Sequence, residues 1–174
     1  TIDIQDEQTL LVILVKTGMT TTVAVNGSTD PVTVDPGDTL NYAVHVNNTS
    51  DVVVTDLTVT ATLDGAALKQ GSLASDNAGV VKANQVTWTK KEVAALASIN
   101  PGQDLTLSFT VGTQTGLTVK TDADRNSQVT ATIALASPAL QATNTNQSPN
   151  PPTIVVTKIA TVLGLTAEAR YYDA

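Results

Sequence analysis

The feature that most constrains this chain is a run of six consecutive apolar residues near the N-terminus, LLVILV. Its members are Leu10, Leu11, Val12, Ile13, Leu14 and Val15. The β-branched Val and Ile residues favour an extended strand, and without polar alternation both faces of that strand require an apolar environment. We therefore predict a strand over residues 10–15 that is buried on both of its faces.

The rest of the chain contains short segments in which apolar and polar residues alternate, as in strands with one face in a core. Turn signals separate them, namely Asn26-Gly27, residues 35–38 (DPGD) and residues 100–103 (NPGQ). Residues 66–83, rich in Gly, Ser and Asn, predict a long loop, and residues 90–99 predict one or two helical turns. The alternation predicts these core residues: Leu40, Tyr42, Val44, Val46, Leu57, Val59, Ala61, Leu63, Val86, Trp88, Leu105, Leu107, Phe109, Val111, Val129, Ala131, Ile133 and Leu135. This pattern indicates an all-β protein, a β-sandwich.

The chain divides into four predicted parts. Residues 1–18 hold the apolar N-terminal strand, and residues 19–136 form the sandwich. Residues 137–152 contain four Pro and no periodicity, which indicates a linker or a crossing strap. Residues 153–174 offer one or two further strands that complete the sandwich.

Composition argues against several classes of function. The net charge is −7 and no basic cluster is present, which disfavours binding to nucleic acid or to anionic membranes. There is no Cys and one His, His45, so thiolate metal sites and His-pair metal sites are ruled out and a catalytic triad is disfavoured. We expect no cofactor, no membrane span and no enzymatic activity. Because the sequence begins at Thr1, we also expect a processed or trimmed N-terminus from which any export signal is already gone.

Residues 32–135 resemble a repeat module of prokaryotic surface proteins known as domain of unknown function eleven. The resemblance rests on the Pro-Gly-Asp turn, a strand with an inward Tyr, an Asn-Thr or Asn-Ser turn and a strand ending in Thr-Asp. It continues through Val86-Thr87-Trp88, residues 100–103 with LTLSFTV, and NSQVTATI as the last strand. The resemblance implies an immunoglobulin-like sandwich with Greek-key connections, located outside the cell in a stalk, adhesin or envelope. It does not extend to residues 1–30 or 137–174.

Three destinations remain open for residues 10–15. The strand lies centrally in its own sandwich, it is the remnant of a preceding repeat, or it is donated to a neighbouring copy. Donation fits the physics of an apolar edge, because an unpaired apolar strand on a free subunit promotes aggregation. Inserted into another copy, each buried Leu, Ile or Val gains about 1.5–3 kcal/mol before entropic costs. A type IV pilin would need a long apolar N-terminal helix, and this run is too short and too rich in Val and Ile.

Four triplets fit the acceptor pattern for N-linked glycans. They begin at Asn26, Asn47, Asn48 and Asn146. All four lie in predicted turns or in the linker, where a glycosyltransferase has access, so we expect N-linked glycans as possible partners.

Two weaker patterns carry candidate chemistry. Asp122, Asp124 and Asn126 have the oxygen spacing that opens a calcium loop, but the Gly and the bidentate Glu of such a loop are missing. Lys16, Asp56 and Asn126 are the residue types of an isopeptide cross-link assisted by a buried carboxylate. The alternation of the last strand opposes the cross-link, because Asn126 would face outward.

The sequence thus predicts an extracellular structural subunit of a cell-surface filament. Copies of the chain would be each other's partners in a head-to-tail homopolymer built by donor-strand complementation. The alternative is a stalk or adhesin module of a cell-surface or S-layer protein.

Overall fold

The computed structural model describes residues 18–116 and 128–138, together with the backbone of residues 153–159. These residues contain twelve strands and one short 3-10 helix, Ala94–Ala97. The strands are β1 (Met19–Val25), β2 (Thr33–Val34), β3 (Thr39–Asn48), β4 (Val54–Thr55), β5 (Thr58–Asp64), β6 (Ala74–Ser75), β7 (Val80–Lys82), β8 (Gln85–Trp88), β9 (Ser98–Ile99), β10 (Asp104–Gly112), β11 (Gln128–Ala136) and β12 (Thr153–Ile159).

The strands form two main sheets. One has the order β1-β3-β10-β6, and the other has the order β2-β12-β11-β5-β8-β7. All pairs are antiparallel except β2 with β12, which is parallel. A small third pair, β4 with β9, closes one end. The chain passes from one main sheet to the other between β3 and β5, by way of β4, and again between β10 and β11. The connections are therefore of the Greek-key kind, and the arrangement is an immunoglobulin-like β-sandwich.

The period-two pattern decides which residues form the core. In β3, Leu40, Tyr42, Val44 and Val46 are buried, while Asn41 on the other face is exposed. The predicted core is confirmed at every position except Leu105, which is only partly buried against it. Trp88 is fully buried, as expected of a core anchor, and its ring lies 6.0 Å from that of Phe109. Phe109 in turn stacks on Tyr42 at 4.6 Å.

The turn predictions are also confirmed. Asn26 and Gly27 have φ values of 50° and 81°, and Val25 and Ser28 exchange both backbone hydrogen bonds across them, as in a two-residue hairpin. The 35–38 and 100–103 turns each close with a hydrogen bond from the fourth residue to the first. The helical turn expected in residues 90–99 is the 3-10 helix.

The long loop predicted over residues 66–83 is wrong in part. This segment contains β6 and β7, which extend the edges of the two sheets, and it buries Ala67 and Leu68. Ser75 accepts a hydrogen bond from the Trp88 indole nitrogen at 3.2 Å, so the segment covers one side of the core. These strands have only two and three residues, too few to show an alternation in the sequence.

The six-stranded sheet also continues past β11, which is the strand that resembles the last strand of the surface module. β12 pairs with β11 over six residues and with β2 over two. The strand predicted in residues 153–174 therefore belongs to the sandwich, within the described residues 153–159.

Candidate assembly site

The two ends of the sandwich are built differently, and we name each after one residue. At the Asn48 pole, the backbone oxygen of Gly18 accepts from Thr49 at 3.1 Å. Gly102 donates to the oxygen of Asn48 at 2.7 Å, and Ser137 donates its hydroxyl hydrogen to the oxygen of Thr55 at 2.6 Å. These contacts place the residue that precedes β1 and the residue that follows β11 at the same end.

At the opposite end, the Gly65 pole, the turn after β5 packs on the start of β11. Gly65 has a φ of 132°, and a Cβ there would collide with the backbone oxygen of Gln128. Lys69 donates to the oxygen of Gly112, where β10 ends, at 3.1 Å. The final residue of β12, Ile159, pairs with Val34 just before the 35–38 turn, which also belongs to this pole. The described chain therefore begins at one pole, with Gly18, and β12 ends at the other.

Asn48 forms a buried hydrogen-bonded clip at its pole. Its side chain is fully buried, and Nδ2 donates to the oxygens of Val52 and Ile99, both at 2.8 Å. Its Oδ1 accepts from the backbone nitrogen of Ser50 at 3.0 Å and from the Ser50 hydroxyl at 2.5 Å. Since every hydrogen-bonding position of the amide is used, Asn48 holds the β3–β4 connection against β9.

This geometry corrects one predicted glycosylation site. A glycan would be attached to Nδ2 of Asn48, which is buried and committed to two carbonyls, so the folded protein is incompatible with a sugar there. Ser50, the third residue of that triplet, is buried as well. Asn47 alternates with Asn48 and lies half-buried at the end of β3, on the outer face of its sheet.

Asn26 is exposed in its hairpin turn. Its Oδ1 accepts from the backbone nitrogen and the side-chain nitrogen of Asn41, at 2.9 and 3.2 Å. Asn26 and Asn47 therefore stay predicted sites, while Asn146 lies outside the described residues.

Asp56 does not have the buried position that an isopeptide cross-link requires. Its side chain is 47% exposed, and Oδ1 accepts a hydrogen bond from Lys90 Nζ at 2.7 Å. The predicted cross-link requires a buried carboxylate, and Asp56 is half-exposed and paired with a lysine, so the role predicted for Asp56 is wrong. Lys16 and Asn126, the other two members, lie outside the described residues, as do Asp122 and Asp124 of the weak calcium pattern.

The polar side chains that the fold brings together are surface groups. His45 lies on the outer face of the four-stranded sheet, with Nδ1 2.9 Å from the Thr106 hydroxyl oxygen and 3.8 Å from Asp104 Oδ2. Its side chain is 44% exposed, as the alternation of β3 predicts. Within the ranges that the structure describes, no cluster of three His, Cys, Asp or Glu side chains is arranged to hold a metal ion.

One shallow depression lies at the Asn48 pole, lined by Asp56, Thr58, Thr89, Lys90 and Lys91. Beside it, the Glu92 carboxylate accepts from the hydroxyl and the backbone nitrogen of Thr89, at 2.6 and 3.0 Å. The hydroxyl hydrogen bond is the main cause that lowers the pKa of Glu92 below its ordinary value of 4.5. Glu92 is thereby held as an anion, which suits a structural turn more than proton transfer.

β11 pairs with β5 on one side and with β12 on the other. Val129, Ala131 and Ile133 of β11 are at most 1% exposed. Their register partners in β12 are Thr157, Val155 and Thr153. We name this position, between β2 and β11, the β12 slot. The apolar strand predicted at residues 10–15 lies outside the described residues, so its destination stays a prediction.

The fold places the chain in the class of immunoglobulin-like β-sandwich modules. No family model and no curated protein matches the chain, so the resemblance to domain of unknown function eleven stays a prediction. In the described residues there is no helix with the length and apolar character needed to cross a bilayer.

Several solved structures are similar to this chain in outline. A CARDB domain from Pyrococcus furiosus is 17% identical, with 90% of this chain and 98% of that one covered and a TM-score of 0.44. BcpA, the major pilin subunit of Bacillus cereus, is 14% identical, with 82% of this chain and 40% of that one covered and a TM-score of 0.45. The seventh ScaB type I cohesin of Pseudobacteroides cellulosolvens is 8% identical, with 87% and 98% covered and a TM-score of 0.46.

Proposed function

We propose that this protein is the structural subunit of an extracellular, cell-surface filament, in which residues 10–15 of one copy complete the sandwich of the next. The observation that carries the proposal is the placement of the chain at opposite poles. Gly18, which residues 10–15 precede by two residues, lies at the Asn48 pole, whereas β12 ends at the Gly65 pole. A strand that leaves one pole of a copy and enters the other pole of its neighbour gives a head-to-tail contact, which does not close and therefore builds a filament.

The physical reason for donation is the composition of the donated strand. Residues 10–15 expose six aliphatic side chains unless another sheet covers them. In a neighbouring sheet they gain main-chain hydrogen bonds and apolar contacts together, as in β-strand addition. Glycans on Asn26, Asn47 or Asn146 would cover a filament surface that carries few charges.

The same placement of the chain at opposite poles favours one alternative, a module in a stalk or adhesin. A sandwich whose chain enters at one end and leaves at the other stacks into a row within a single polypeptide. Such a module needs no exchange between copies, and this difference separates the two functions.

Electron microscopy of the purified full chain tests the proposal. We expect filaments from the wild type, and we expect their loss in a Val12→Asp, Leu14→Asp variant, because two carboxylates in the donated strand oppose burial. Val80→Asp is the matched control, since Val80 is 56% exposed in the folded sandwich. It should leave polymerisation unchanged.

Circular dichroism should show the same β content in all three proteins. Filaments that persist in the double variant would refute donation from residues 10–15. Dispersed single particles from the wild type would instead favour the stalk module.

A further inference from the structure

The register places two Thr of β12 opposite buried residues of β11. Residues that are opposite each other in an antiparallel pair share one face of the sheet. The positions opposite the buried residues Val129, Ala131 and Ile133 therefore belong to the core face, and two of these three positions in β12 carry Thr. A hydroxyl at a core position requires a hydrogen-bond partner, which makes Thr a poorer occupant than Val.

Residues 10–15 present only aliphatic side chains to the core face in either register. A shift of one residue moves every side chain of a strand to the opposite face. Because all six residues of LLVILV are aliphatic, each register presents three aliphatic residues to the core. The six aliphatic residues 10–15 are thus a better match for the core face beside β11 than β12, which contributes two Thr to it.

β12 also has a long connection to β11 and a short pairing with β2. Two antiparallel neighbours can be joined by a two-residue turn, but sixteen residues, 137–152, connect β11 to β12. On its other side, β12 pairs with only two residues of β2. Removing β12 therefore breaks its pairing with β11 and with two residues of β2, and the β11-β5-β8-β7 part of the sheet keeps its order.

The direction of the strands distinguishes the slot of a neighbour from a position in the same copy. β11 runs from the Gly65 pole to the Asn48 pole, so β12, which is antiparallel to it, runs from the Asn48 pole to the Gly65 pole. Residues 10–15 reach Gly18 at the Asn48 pole of their own copy. If they folded back on that copy, they would run toward this pole, parallel to β11 and antiparallel to β1.

In a neighbour whose Gly65 pole faces that Asn48 pole, residues 10–15 run in the opposite direction relative to β11. The donated strand then leaves the neighbour through its Gly65 pole and runs in the same direction as β12, antiparallel to β11. From the poles, the register and the sequence, we propose that the acceptor of the donated strand is the β12 slot and that residues 10–15 of one copy displace β12 of the next. This inference rests on the proposed function and specifies its acceptor.

A disulfide lock tests the displacement, because the chain has no cysteine of its own. Thr130→Cys with Val156→Cys joins a pair of Cα partners across β11 and β12. When it is oxidised, we expect at least a tenfold loss of polymer by light scattering and electron microscopy, reversed by a reductant. The matched control, Thr22→Cys with His45→Cys, joins Cα partners across β1 and β3 and should polymerise in both states.

Polymer at the wild-type level, with the β11–β12 disulfide intact by mass spectrometry, would overturn the slot as acceptor. The proposed function would still hold if Val12→Asp, Leu14→Asp abolished that polymer. A wild type that forms no polymer, or a double variant that does, removes the proposed function itself, and the inference with it.

Cross-linking provides a second measurement that does not depend on the lock. Single cysteines at positions 10 to 15 are each combined with a cysteine at Thr130, Thr132 or Ala134 of β11. We expect disulfides between copies, seen as a ladder on a denaturing gel, and the best partner should move from Ala134 toward Thr130 as the first cysteine moves from position 10 to position 15. The opposite trend, or disulfides within one copy, would overturn the proposal.

Discussion

At the scale of single residues, Asn48 shows how one amide organises a pole. The alternation in β3 buries Leu40, Tyr42, Val44 and Val46, and the same period places residue 48 on the core face. That position was predicted as a turn and a glycan site because Asn-Thr-Ser is an acceptor triplet. The period of β3 is the signal for its burial. Three of the four hydrogen bonds of the buried amide are local, to Ser50 and Val52, and the fourth is to Ile99, 51 residues away.

We predict that Asn48→Ala lowers the free energy of unfolding by about 2–4 kcal/mol, because two buried carbonyls and Ser50 lose their partner. Urea unfolding followed by the fluorescence of Trp88, the one tryptophan, measures it. Asn47→Ala on the outer face is the control and should change the free energy by less than about 0.5 kcal/mol. Equal effects of the two variants would show that the clip contributes nothing specific.

At the scale of elements, the turn between β8 and the 3-10 helix is held by Thr89 and Glu92. Its two lysines, Lys90 and Lys91, are exposed. Oε2 of Glu92 accepts from both the backbone nitrogen and the hydroxyl of Thr89, so the last residue of the turn holds the first one in place. The contact of Lys90 with Asp56, 34 residues earlier, has no local signature in the sequence.

The lowered pKa of Glu92 makes this turn sensitive to acid. A carboxylate with a lowered pKa in the folded state contributes stability above its ordinary value of 4.5, and this contribution is lost as the pH falls through the folded pKa. We therefore predict that Glu92→Gln is less stable than the wild type at pH 7, and that the difference shrinks as the pH falls below 4.5. Urea unfolding at a series of pH values measures the difference.

In a Thr89→Val background, the main hydrogen bond that lowers this pKa is absent. The effect of Glu92→Gln should then be smaller, and its dependence on pH weaker. A difference between wild type and Glu92→Gln that is constant from pH 7 to pH 3 would contradict this account.

At the scale of the whole molecule, the two poles determine how copies can join. A donated strand that passes from the Asn48 pole of one copy into the Gly65 pole of the next stacks the sandwiches end to end. The longest strand, β3, has ten residues, which corresponds to about 34 Å along the strand direction.

We therefore predict an axial rise of roughly 30–40 Å per subunit in the filament, close to one sandwich length. Layer lines in electron micrographs of the filaments measure this spacing. A rise much shorter than one sandwich would mean that copies pack side by side, and that the poles do not face each other.

By itself, the sequence determined the longer alternating strands and the inward face of each one. The alternation is a local property, because burial on one face of a strand repeats every second residue, as in β5 and β11. Only the tertiary structure decided that residues 66–83 contain β6 and β7 at the sheet edges, that the Asn48 amide binds the oxygen of Ile99, and that Asp56 is solvated and paired with Lys90. It also decided that β12 lies between β2 and β11. These features depend on which distant segments meet, and pairing between segments that are far apart in the chain leaves no periodic trace in either of them.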